Sequence, residues 1–284
     1  MAVTLILAVI SLFYASAFTR LEGRLPGKCR PQRTRALAMG GAILVAEISL
    51  ASHLAPLSHH LLSAHMTQHI LLMLIAAPLF VWARPIAYLL GVLPPRMRMH
   101  LTQLCNRLGG RSLAESLTKP AFSWAMFCGV VLLWHIPAVY RWAMHGELRH
   151  WLMTLSFLGA GLLFWSVVMR SVERRSLDYA SCALYVLSAA LLTGLPGALI
   201  AFARRPLYLD EFHGPMPFGL TALADQQLAG LIMWIPMDLI LFAVALALMA
   251  AALNRNGRVE PIAKSTAVVS QVHPRLDVEN AHRV

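Results

Sequence analysis

Seven apolar stretches divide the chain, at residues 2–18, 36–53, 66–83, 120–140, 150–169, 180–202 and 225–252. The segments between them hold nearly all the arginine, lysine and proline. At a rise of about 1.5 Å per residue, runs of this length can cross a hydrocarbon core of about 30 Å. Lipid offers the backbone no hydrogen-bond partners, so each run is expected to be a helix. No series of short alternating segments points to a β-barrel. The pattern predicts an all-α polytopic membrane protein, with seven transmembrane helices over residues 1–253. Residues 254–284 are polar, mixed in charge and without apolar periodicity, and are expected to form a disordered tail.

Composition agrees. Of the 284 residues, 58% are hydrophobic and only 13% charged, against about 25% charged in an ordinary soluble domain. Mean hydropathy is +0.63. The 24 Lys and Arg outnumber the 13 Asp and Glu, for a formal charge of +11. That excess would suit a nucleic-acid partner, but its placement argues otherwise. Six cations lie in 19–35, six in 84–119, three in 170–179 and five beyond 253. The alternate connections, 54–65, 141–149 and 203–224, hold only four. By the positive-inside rule the N-terminus is then outside and the C-terminus cytoplasmic. Ala15-Ser16-Ala17 resembles a signal-peptide cleavage site, but no Lys or Arg precedes it. Cleavage would also invert the charge pattern, so the first stretch reads as a retained span.

Several chemistries drop out. Cys29, Cys105, Cys128 and Cys182 form no CxxC pair. Lys28, Lys119 and Lys264 all lie outside the apolar runs, which excludes a retinal Schiff base. There is no Walker, Rossmann or HExxH motif.

The histidines avoid the cationic side. Of twelve, only His100, His273 and His282 fall on the cytoplasmic side; His53, His59, His60, His65, His69, His135, His145, His150 and His213 fall on the other. The sharpest group is His65-Met66-Thr67-Gln68-His69 at the start of the third run. His65 and His69 are four residues apart and share a helix face. Met73 extends that stripe by a turn, and Met66 falls near it. Two imidazoles with two thioethers suit copper, especially Cu(I). Such pairs also arise by chance, and methionine is a common core filler. Trp134-His135-Ile136-Pro137 closes the fourth run near the same surface, making His135 a third candidate ligand. Asp225, starting the seventh run, either orients a ligand histidine or caps a helix N-terminus. Glu47 and Asp238 are carboxylates within apolar runs, where such groups are costly. Glu47 lies close enough to the outer end to join an outer site. Thr193-Gly194-Leu195-Pro196-Gly197 is expected to break or kink the sixth run.

The order of these motifs resembles the CtaG-like family of bacterial membrane proteins associated with assembly of caa-type cytochrome c oxidase. The resemblance is carried by His65 to Met73 followed by Ala76-Ala77-Pro78-Leu79 and Arg84-Pro85, by Trp134-His135-Ile136-Pro137 with Tyr140, and by Asp225-Gln226-Gln227-Leu228-Ala229-Gly230 with Met233-Trp234. It covers residues 40–250 and leaves out the tail. It implies a multi-span factor of the bacterial inner membrane, not an enzyme, that supplies copper to the oxidase. It also implies His65, His69, His135 and Asp225 as motif positions, and an oxidase subunit or a periplasmic copper chaperone as partner. The alternatives are a haem-binding membrane cytochrome, with His69 and His135 as axial ligands from different helices, and a copper transporter.

Overall fold

A computed structural model describes residues 2–24, 29–52, 54–58, 60–174, 177–208 and 217–272. Those residues form helices and turns, with no strand among them. In chain order the helices are α1 (Ala2–Arg24), α2 (Cys29–Ala51), α3 (62–83), α4 (Pro85–Val92), α5 (Pro95–Arg107), α6 (Gly110–Leu117), α7 (Pro120–Trp134), α8 (Pro137–Met144), α9 (Glu147–Arg174), α10 (Tyr179–Ala201) and α11 (Ala222–Val272). A single turn, Leu54–Leu57, precedes α3.

Five segments are long and apolar enough to cross a bilayer: Arg33–Ala51, Leu62–Tyr88, Glu147–Glu173, Tyr179–Ala201 and Ala222–Arg255. The pair α6 and α7, bent by 67°, makes a sixth if counted as one span. In α1 the apolar helix is the shorter piece Leu7–Ser16. Among the described residues there are thus five or six candidate spans where the pattern predicts seven. The protein is all-helical and compatible with a multi-pass membrane protein. Outward-facing leucines such as Leu184, Leu199, Leu239 and Leu246 are well exposed, as a lipid-facing surface requires.

Two boundaries differ from the sequence pattern. The fourth run, 120–140, is not one helix: α7 stops at Trp134 and α8 starts at Pro137. Pro137 pushes the preceding residue out of the helical region, and Ile136 is extended at φ −71°, ψ 121°. Conversely, α11 runs past its apolar stretch to Val272, into the segment read as a polar tail. Residues 273–284 lie outside the described residues.

The core gathers side chains from α3, α7, α9, α10 and α11, among them Phe127, Phe157, Phe164, Met153 and Met237. Helices α1 and α2 form a second layer against α3 and α4, through Tyr14 and Met39 on one side and Ala83 and Tyr88 on the other. Close helix approach depends on glycine at a few points. A Cβ on Gly230 would lie 2.4 Å from the Ala201 amide nitrogen, and one on Gly197 would lie 3.0 Å from the Trp234 Cβ. These small residues let α10 and α11 pack backbone to backbone. Helix α10 runs unbroken through Pro196, so of the break or kink expected there the break is absent. Its glycines serve this contact instead.

Helix α3 contains a π segment, Leu71–Ala76. The Ala77 amide donates to Leu72 O, five residues back. In that register Met73 O would accept from residue 78, which is proline and has no N–H. The Trp165 indole of α9 fills the gap, donating to Met73 O at 3.0 Å. The Ala76-Ala77-Pro78 sequence thus creates a free carbonyl that fastens α3 to α9.

Candidate functional site

Helix α3 starts after Leu61, which has no side-chain acceptor for its first amides. Such amides need an acceptor from elsewhere. Asp225, buried in the first turn of α11, supplies it. Its Oδ2 accepts from Leu62 N at 2.7 Å, and its Oδ1 accepts from Ser63 N at 3.2 Å and from Ser63 Oγ at 2.5 Å. The carboxylate also faces the positive end of the helix dipole. Helix α11 has its own cap in Thr221, whose Oγ1 accepts from Ala224 N at 3.2 Å. Of the two roles expected for Asp225 the observed contacts are those of a cap, and the helix it caps is the one that carries His65 and His69.

Those two histidines are 0% and 5% exposed. Their Nε2 atoms are 2.7 Å apart, with the rings at 84°. One Nε2 must donate and the other accept, so a single proton lies between them. Gln68 steadies the same turn: its Nε2 donates to Ser49 O at 2.7 Å, and Ser49 Oγ donates to Gln68 O at 3.0 Å.

His135 caps α7. Its Nδ1 lies 2.6 Å from Val131 O. A carbonyl only accepts, so Nδ1 carries the proton and Nε2 of the neutral ring presents a lone pair. That Nε2 is buried without a hydrogen-bond partner. The His135 carbonyl is held from the other side by the Tyr208 hydroxyl at 2.9 Å.

Phe157 of α9 joins the groups. Its ring lies 4.2 Å from that of His69 and 6.3 Å from that of His135. His150, also on α9, has its ring 5.5 Å from that of His65. Tyr140 of α8 meets His65 edge-on at 5.3 Å. His69 lies within electrostatic range of both His135 and His150. Four imidazoles from α3, α7 and α9 therefore converge. His150, which stands beside the site, was missed because it has no neighbouring motif. The one signal for it was the crowding of histidines onto one side of the chain.

The remaining expected ligands have these surroundings. Met66 and Met73 are buried in the apolar core, and Met73 packs against Gly161 and Trp165. Glu47 lines a cavity between α1 and α2. Asp238 packs its carboxylate against Gly194 of α10. His53, His59 and His213 lie outside the described residues.

The donor set is chemically suited to a borderline or soft ion such as copper. Among the described residues, no three His, Cys, Asp or Glu side chains already stand in metal-holding geometry. The 2.7 Å between His65 and His69 is shorter than the roughly 3.3 Å between two nitrogens bound to one tetrahedral ion at bond lengths near 2.0–2.1 Å. An ion would replace the shared proton and spread the two rings by less than about 1 Å.

The model of the family described as cytochrome c oxidase caa3 assembly factor matches residues 12–255, most of the chain. No curated protein and no solved structure gives a significant match.

Proposed function

The chain belongs to the cytochrome c oxidase caa3 assembly factor family, and from that premise we propose that it handles copper for the oxidase at the outer face of the bacterial inner membrane. In this reading seven helices span the bilayer, with the N-terminus outside and the C-terminus in the cytoplasm, following the cation asymmetry. The site of His65, His69 and His135 then lies toward the outer side, with His150 beside it. Copper is cargo, received from a periplasmic chaperone or passed to an oxidase subunit. The chain itself transforms no substrate.

The observation that carries this reading is the buried His135 Nε2 lone pair, set beside the His65–His69 pair. An unpartnered polar atom in a core is costly, and a neutral imidazole held by its Nδ1–H is the form that binds a metal. Haem is less favoured, because His69 and His135 both pack on Phe157. A planar macrocycle between them would have to displace that ring.

The test is copper and haem quantification on purified protein after Cu(I) loading. Wild type is expected to retain stoichiometric copper, and the His65→Ala, His69→Ala double variant to lose it, together with active oxidase in cells. A Soret band would replace copper with haem. Copper uptake into sealed vesicles would favour a transporter. Unchanged copper and oxidase in the double variant would refute the site.

A further inference from the structure

A cavity of about 360 Å³ opens beside the histidine cluster, lined in part by Ser58, Gln68, Met144, Glu147, His150 and Thr154. At about 30 Å³ per water it has room for roughly ten waters. Glu147, His150, Thr154 and Phe157 follow one another at three- and four-residue spacing, so they form one stripe down α9. Burial deepens along it. Glu147 is exposed, His150 half-buried, and Thr154 and Phe157 buried. The stripe ends at Phe157, against the ring of His69. His150 touches both regions: it lines the cavity, and its ring faces that of His65.

The lining favours a cation. Among the described residues of its wall, Glu147 is the one Asp, Glu, Lys or Arg. That carboxylate lies in the first turn of α9, where it offsets the positive end of the helix dipole. Arg149 is not itself a lining residue: its guanidinium lies 5.2 Å over the Trp142 ring, donates to His145 O at 2.8 Å and packs against Gly146 of the wall. A second cavity, of about 380 Å³, reaches His135 past Leu132, Leu195 and Leu199 and has no charged side chain among the described residues of its wall. Apart from His135 and Tyr208 the described wall is apolar, so it offers an ion fewer groups to replace its hydration than the cavity at Glu147 does.

We propose that the cavity at Glu147 is the loading port of the histidine cluster, and that His150 passes an incoming Cu(I) ion from it to His65 and His69. This rests on the copper reading above. The thioether of Met144, the carboxylate of Glu147 and the imidazole of His150 offer successive ligands. No redox step or bond cleavage is involved: the ion exchanges ligands, and the proton between His65 and His69 moves to Nδ1 of the ring that carried it, so that both imidazoles stay neutral.

The test follows transfer of Cu(I) from its bicinchoninate complex to the detergent-purified full chain by stopped-flow absorbance. Final copper is then counted after desalting. His150→Ala is expected to slow loading at least tenfold and leave final copper unchanged. A second probe blocks the port without touching histidine. Met144→Cys, in a Cys29→Ser, Cys105→Ser background, is modified with a charged methanethiosulfonate. Modification is expected to slow loading, and its removal to restore the rate. Wild-type rates in both cases, with full copper, would overturn the port and leave the site standing. Lower final copper in His150→Ala would make His150 a ligand of the site and overturn its relay role. Absence of copper from wild type would overturn both readings.

Discussion

Replacing Asp225 with alanine tests the architecture beneath the histidine site. The change removes the acceptors of two backbone amides, Leu62 N and Ser63 N, and of the Ser63 hydroxyl. A buried donor left without a partner costs about 1–3 kcal/mol. The space beside Asp225 measures only about 10 Å³, at the lower bound for a water, so none is at hand to replace it in the native packing. The shorter side chain makes room for one water, which recovers part of the loss. Relief of the buried carboxylate's desolvation recovers some more. The net expectation is about 2–4 kcal/mol, and about half of that for Asp225→Asn, which keeps one acceptor but turns an N–H₂ toward an N–H. Equilibrium unfolding by SDS titration in mixed micelles measures the sum. A double-mutant cycle with Ser63→Ala should give a coupling of about 1 kcal/mol, within the range for directly contacting residues. Hydrogen exchange should speed up at the amides that open α3, and much less in α10. The reasoning fails if Asp225→Ala stays within about 0.5 kcal/mol of wild type, a neutral surface result. It also fails if coupling to Ser63 is absent and a fully stable variant loses copper, because Asp225 would then be a ligand and not a cap.

Trp165→Phe should cost about 1–3 kcal/mol by orphaning Met73 O. Adding Pro78→Ala, which returns an N–H in the π register, should recover part of that in the same SDS titration. Gly230→Ala should cost about 2 kcal/mol or more, because its Cβ would meet the Ala201 backbone at 2.4 Å. Gly129→Ala, with nothing within 4 Å, should be neutral or stabilising by up to about 1 kcal/mol; equal effects at the two positions would contradict the close α10–α11 contact. His135→Ala should weaken copper affinity at least tenfold in a competition titration with bicinchoninate. Tyr208→Phe should change it little, since the hydroxyl of Tyr208 bonds the His135 carbonyl and not the ring.

The apolar periodicity and the spacing of cations were enough to read an all-helical membrane chain, because each span must satisfy its own backbone and its hydropathy is a sum over local residues. The pairing of His65 with His69 was equally legible: four residues on a helix is a local distance. So was the end of α7 before Pro137, in kind if not in place, since proline constrains the residue before it. What lay beyond the sequence were relations between helices. Asp225 is 162 residues from Ser63, and nothing local tells whose helix a carboxylate caps. The Met73 carbonyl is freed by Pro78 nearby, but the indole that takes it up is 92 residues away. Met66 and Met73 share one core with Tyr140 and Phe157, and Glu47 lines a cavity against α1, because helix rotation is set by packing against neighbours. His150 entered the cluster by the same route: α9 packs against α3, and that contact brings a histidine with no motif of its own against His65.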